Sequence, residues 1–124
     1  MVELRSGIDL VEIRRIASQR PEIHARFLQR VFTPLELELS GGSTPSLAGR
    51  FAAKEAVAKA LGCGIGAIGW HAVEIQRGEQ GEPVLVLSGK ALQIAESLGL
   101  TSWSISISHT RTYAVAVAVA MKLP

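Results

Sequence analysis

Serine and isoleucine alternate along Ser104-Ile105-Ser106-Ile107-Ser108-His109, so a strand over 102–109 presents one polar face. Valine and alanine alternate from Ala114 to Ala120, and a strand over 112–121 is apolar on both sides. Such a strand is usually covered on both sides, and in a chain this short one cover can come from another subunit. A tight turn at His109-Thr110-Arg111 joins the two. Two further strands, 71–77 and 83–88, flank Gly78-Glu79-Gln80-Gly81-Glu82, whose glycines fit a hairpin loop.

The rest of the pattern is mainly helical. Residues 2–10 read as a strand, and 11–18 as a short helix with Val11, Ile13, Ile16 and Ala17 apolar. Pro21 suits the first turn of a helix running through Ala25, Phe27 and Leu28. Thr33-Pro34-Leu35-Glu36 carries the signature of a helix start: a Thr cap, Pro at the first position and Glu at the third. After a loop over 40–46, the longest helix spans 46–61, with Gly62 as its left-handed cap. A helix over 89–98 closes on Gly99. The order β-α-α-α-α-β-β-α-β-β predicts an α+β domain over 1–124, with a largely antiparallel sheet packed by helices.

The long helix is rich in alanine, and its charges fall into two stripes. At about 100° per residue, Arg50 and Lys54 share one side, while Glu55 and Lys59 share another more than a quarter turn away. The simplest account of Glu55 and Lys59 is an i,i+4 ion pair contributing about 0.2–0.5 kcal/mol. A second account brings in Asp9, the only aspartate in the chain. It lies in the apolar run Gly7-Ile8-Asp9-Leu10-Val11, where aspartate is disfavoured and a buried carboxylate needs a cation or donors. That partner is a metal ion or a basic side chain. Two carboxylates, a lysine and His109 together would suit a Mg²⁺–phosphate site, since Mg²⁺ takes one or two carboxylates plus phosphates and waters. The glycines of 62–69 match no Walker pattern; they suggest close backbone approach to a ligand.

Composition narrows the classes. With 124 residues and 48% apolar content the chain holds one real core, and aromatics at 5% leave it to aliphatics. Net charge is only +2, and no aromatic stacking face accompanies it, which argues against nucleic-acid binding. The basic residues are uneven: Arg5, Arg14, Arg15, Arg20, Arg26 and Arg30 crowd the first thirty positions, a face suited to phosphate or an acidic protein. One cysteine, Cys63, rules out an internal disulfide. No signal-peptide pattern and no stretch of transmembrane length is present, so a cytoplasmic location is expected, with no membrane partner.

Several blocks carry a resemblance. Gly7-Ile8-Asp9 followed by Val11-Glu12-Ile13-Arg14-Arg15-Ile16, then Phe32-Thr33-Pro34-Leu35-Glu36, Arg50-Phe51-Ala52-Ala53-Lys54-Glu55-Ala56, Gly81-Glu82-Pro83 and Ser106-Ile107-Ser108-His109, closely resemble the holo-acyl-carrier-protein synthase family. They occur in family order over nearly the whole chain. The length matches the small trimeric type of 4'-phosphopantetheinyl transferase. The resemblance implies transfer of 4'-phosphopantetheine from coenzyme A to a serine of acyl carrier protein, serving fatty acid biosynthesis. It implies Asp9 and Glu55 as Mg²⁺ ligands, and Lys59 as a catalytic phosphate contact. Arg50, Gly64 and His109 would lie near the coenzyme. Arg14, Arg15 and Phe27 would dock the acidic carrier protein. The general base is Glu55 or His109, and the site lies between subunits of a homotrimer. A non-catalytic module binding coenzyme A is the alternative; it would not need Asp9, Glu55 and Lys59 together.

Overall fold

The computed structural model describes residues 3–17 and 20–124. Val2 and Ser18, the predicted outer ends of the first strand and first helix, lie outside the described residues. The chain runs β1 (Glu3–Glu12), α1 (Ile13–Ala17), α2 (Pro21–Val31), α3 (Pro34–Ser40), α4 (Thr44–Leu61), α5 (Ile65–Ile68), a 3-10 turn (Trp70–Ala72), β2 (Val73–Arg77), β3 (Pro83–Leu87), α6 (Gly89–Ser97), β4 (Ser102–His109) and β5 (Tyr113–Lys122). The predicted α+β class holds, but the strands form two antiparallel sheets: β1-β5-β4 and the hairpin β2-β3.

Local chemistry sets the helix ends. Thr33 and Glu36 form the reciprocal capping box at the start of α3, with Thr33 Oγ1 accepting from the Glu36 N–H and Glu36 accepting from the Thr33 N–H. Ser43 caps α4, which begins two residues earlier than predicted, and Gly62 ends it in the left-handed region at φ 78°. Strand β1 continues to Glu12, so α1 is shorter than predicted. The extension is held by pairing, since Val11 faces Ala114 and Glu12 faces Tyr113. The glycine-rich stretch after α4 is not all loop: Ile65 and Ile68 of α5 turn into the core.

The core lies between α4 and the inner face of β1-β5-β4. Ala114, Ala116, Ala118 and Ala120 are buried there, and Ala52, Ala53, Ala56 and Ala60 of α4 are buried as well. Small residues on both layers let helix and sheet approach closely. The approach is tightest at Gly7, where a Cβ would overlap the Ala56 carbonyl oxygen, and at Gly49, where one would stand 2.8 Å from Ile107 Cγ2. Among the described residues the valine side of β5 has no such cover, and Val115, Val117 and Val119 are only half-buried. Leu10, Ile8 and Leu4 of β1 pair with Val115, Val117 and Met121, and these three β1 residues remain 63%, 58% and 64% exposed. The serines of β4 flank the same face, Ser108 beside Val115 and Ser106 beside Val117.

Candidate functional site

Of residues 47–61 in α4, only Phe51, Glu55 and Lys59 escape full burial. Spaced by four, they form a single stripe along an otherwise enclosed helix. Strand β1 runs against this helix because Gly7 has no side chain. Asp9, two residues on and therefore on the same side of the strand, is brought to the stripe. Lys59 Nζ donates to the Ile8 carbonyl at 2.8 Å and to Asp9 Oδ1 at 3.3 Å. The predicted i,i+4 pair is thus replaced: Lys59 turns to β1, and among the described residues Glu55 has no ion pair within 4 Å.

Asp9 and Glu55 line one cavity of about 360 Å³, whose walls also include Arg15, Phe27 and Phe51. Burial pushes the Glu55 carboxyl above its ordinary range, the Asp9 charge adds to this, and Lys59 opposes it. A pair of carboxylates whose charges disfavour each other, open to a cavity with room for water and phosphate, fits a Mg²⁺ ion. It does not fit a caged metal, since among the described residues no three His, Cys, Asp or Glu side chains cluster.

The other stripe of α4 turns inward. Lys54 is fully buried, and its ammonium reaches Glu36 Oε1 at 2.7 Å and the carbonyls of Val73 at 2.6 Å and Trp70 at 2.9 Å. Arg50 is buried too. It donates to the Ile75 carbonyl at 3.0 Å and to the Ser46 and Ser40 hydroxyls at 2.6 and 3.3 Å. Burial lowers its pKa, Glu36 opposes this, and Arg77 adds to it. Arg50 also lines a second cavity of about 450 Å³ with Arg77, His109, Ser46 and Ser108, and none of its lining residues is acidic.

The predicted site residues therefore fall into two groups within one chain. Asp9, Glu55, Arg15 and Phe27 share the carboxylate cavity, with Lys59 at Asp9. Arg50 and His109 share the acid-free cavity, and the two cavities have no lining residue in common. Gly64 is exposed at the start of α5 and lines neither. Arg14 is exposed and pairs with Glu12. Phe27 stands in an aromatic row, 6.4 Å from Phe32 and 6.1 Å from Phe51 between ring centres, with Phe51 5.0 Å from Trp70. Sequence reasoning missed Phe51 and Arg77. Phe51 had a signal, one turn before Glu55 on the same stripe; Arg77 had none beyond its place beside the hairpin glycines.

A family model described as the 4'-phosphopantetheinyl transferase superfamily matches residues 5–118. The chain is 44% identical over 113 residues to the holo-acyl-carrier-protein synthase of Herpetosiphon aurantiacus, covering 86% of this chain and 89% of that one. It is 48% identical over 105 residues to the enzyme of the same name from Solidesulfovibrio magneticus, covering 83% and 85%. Among solved structures, Helicobacter pylori holo-acyl-carrier-protein synthase in complex with coenzyme A superposes with a TM-score of 0.83 at 35% identity, covering 93% of this chain and 98% of that one.

Proposed function

The chain belongs to the 4'-phosphopantetheinyl transferase superfamily, and from that premise we propose how its residues carry out the reaction. It is an enzyme that transfers 4'-phosphopantetheine from coenzyme A to a serine of acyl carrier protein. The observation that carries the site reading is the convergence of Asp9 from β1 with Glu55 and Lys59 from α4.

Asp9 and Glu55 would hold Mg²⁺. The ion supplies charge neutralisation on the pyrophosphate, the main need of a phosphoryl-type transfer. Lys59, more than half exposed and already turned to Asp9, adds a second positive charge at the same wall. The carrier serine oxygen forms a bond to the β-phosphorus as the bond to the departing phosphate breaks, releasing adenosine 3',5'-bisphosphate. Glu55, which lines the cavity beside Asp9, takes the serine proton. Arg50 and His109, in a cavity without acidic residues, hold a phosphate-bearing end of the coenzyme. Arg15 and Phe27, on the wall beside Asp9, meet the acidic carrier, with Arg14 exposed nearby.

The separate cavities support a shared site, in which the carboxylate cavity of one copy faces the acid-free cavity of the next. The face formed by exposed Leu4, Ile8 and Leu10 beside half-buried Val115 and Val117 supports a trimer that closes over it. No described helix is long and apolar enough to cross a membrane, and we place the reaction in the cytoplasm, in fatty acid biosynthesis. The test is an intact-mass assay with apo carrier protein, coenzyme A and Mg²⁺. A phosphopantetheine-sized gain that depends on the metal supports the reading, and equal gain with metal chelated overturns the metal assignment.

A further inference from the structure

Among the described residues, strand β2 has a strand partner on one edge only, where it pairs with β3. An unpaired edge leaves backbone donors and acceptors open. Here charged side chains close it. The Ile75 N–H donates to Glu36 Oε2 at 2.8 Å, and the Ile75 carbonyl accepts from Arg50 Nε at 3.0 Å. The Val73 carbonyl accepts from Lys54 Nζ at 2.6 Å. Glu36 and Lys54 are both fully buried and pair directly at 2.7 Å. Every proton of the Lys54 ammonium has an acceptor: Glu36, Val73 and Trp70. Glu36 is committed as fully, accepting from Thr33 N–H, Lys54 and Ile75 N–H. Buried charges this well satisfied are expensive to assemble, and an apolar pair often stabilises a fold as well. The arrangement calls for a role beyond stability.

That role follows from what the edge carries. Ile75, Gln76, Arg77, Gly81 and Pro83 of the hairpin line the acid-free cavity together with Arg50 of α4, which is hydrogen-bonded to Ile75. The residue after Lys54 is Glu55, which lines the carboxylate cavity. We propose that Glu36 and Lys54 are positioning residues, which hold the β2 edge against α4 and so set the width of the acid-free cavity that grips coenzyme A. The proposal rests on the assignment of that cavity to the coenzyme. The docking residues Arg15 and Phe27 belong to α1 and α2 and line the other cavity.

The test separates the two substrates in steady-state kinetics, at a temperature where circular dichroism shows each variant folded. Lys54→Met raises the KM for coenzyme A about tenfold and leaves the KM for carrier protein within about twofold. Lys54→Arg, which keeps the charge and the donors, brings the coenzyme value back to within about threefold. Glu36→Gln is the second variant should Lys54→Met fail to fold. It keeps the size but loses one acceptor, and it raises the coenzyme KM by about threefold or more. A folded Glu36→Gln or Lys54→Met variant with the wild-type KM for coenzyme A overturns the proposal, as does an equal rise in both KM values. Calorimetric titration of coenzyme A into wild type and Lys54→Arg reads the same cavity without turnover. Wild-type protein that binds coenzyme A but transfers nothing therefore defeats the functional reading and leaves this one to be judged on affinity alone.

Discussion

Gly7 and Ala56 are in direct backbone contact: a side chain on Gly7 would overlap the Ala56 carbonyl oxygen and stand 2.9 Å from the Ala60 nitrogen. Strand and helix backbones cannot yield as a flexible side chain can. Gly7→Ala should therefore cost about 1–3 kcal/mol and push Asp9 away from Glu55. Gly49→Ala meets only the Ile107 Cγ2 methyl and should cost less. Thermal unfolding of the two variants, with transfer activity measured well below the midpoint, checks both. Gly7→Ala should lose activity beyond what its lost stability explains.

Asp9→Ala should reduce metal-dependent transfer by about 10²–10³, the loss typical when one group that offsets transition-state charge is removed. Its stability should change by less than about 1 kcal/mol, because the Lys59 it pairs with is largely exposed. Intact-mass assays and denaturant melts measure the two effects. A variant with normal turnover would remove Asp9 from the site.

Glu55 gives a pH signature of definite sign. Its pKa is raised in the folded protein, so without metal the native state holds this proton to higher pH than the unfolded chain. The stabilising effect is present below the unfolded pKa and is lost as pH rises through the folded one. Relative to Glu55→Gln, the metal-free wild type should thus lose stability across that window. Metal binding needs the carboxylate, so affinity should fall as pH drops, by up to about tenfold per unit, starting above the usual carboxylate range. Asp9→Asn removes one cause of the shift and should move the onset to lower pH.

Arg15→Glu should raise the KM for carrier protein about tenfold while that for coenzyme A stays within about twofold. The selectivity follows from Arg15 lining the carboxylate cavity and not the acid-free one. Equal effects on both substrates would remove the docking role.

Ile8→Lys places a charge in the middle of the exposed apolar face, opposite Val117. It should shift the protein to monomers in light scattering and abolish transfer together with assembly. Subunit mixing tests the shared site more directly: Asp9→Ala and His109→Ala, each inactive alone, should recover part of the activity when mixed chains reassemble. No recovery from mixed assemblies would place both residues in a site within one chain.

Much of this was legible locally. The Thr33–Glu36 capping box, the Gly62 cap and the Ser–Ile alternation each declare themselves within a few residues. The two stripes on α4 were legible as well, though not their fates. Whether Lys54 or Lys59 faces water depends on what packs against the helix, and that comes from β1, β2 and α3. Glu36 shows the limit best. Its spacing from Thr33 accounts for one oxygen, and nothing nearby reveals that Lys54, eighteen positions on, or Ile75 needs it. Lys59 likewise had an adequate local partner in Glu55 and chose a strand fifty residues away.

The side-chain closure of the β2 edge also bears on how this protein fails. A bare strand edge is a template on which another chain can add. While Lys54, Glu36 and Arg50 hold the Val73 and Ile75 backbone groups of that edge, a second molecule cannot hydrogen-bond to them. Loosening the lattice would free the edge of β2 beside the exposed valines of β3. Aggregation and loss of grip on the coenzyme would then start from the same local opening, so bound coenzyme A should slow the one as it protects the other.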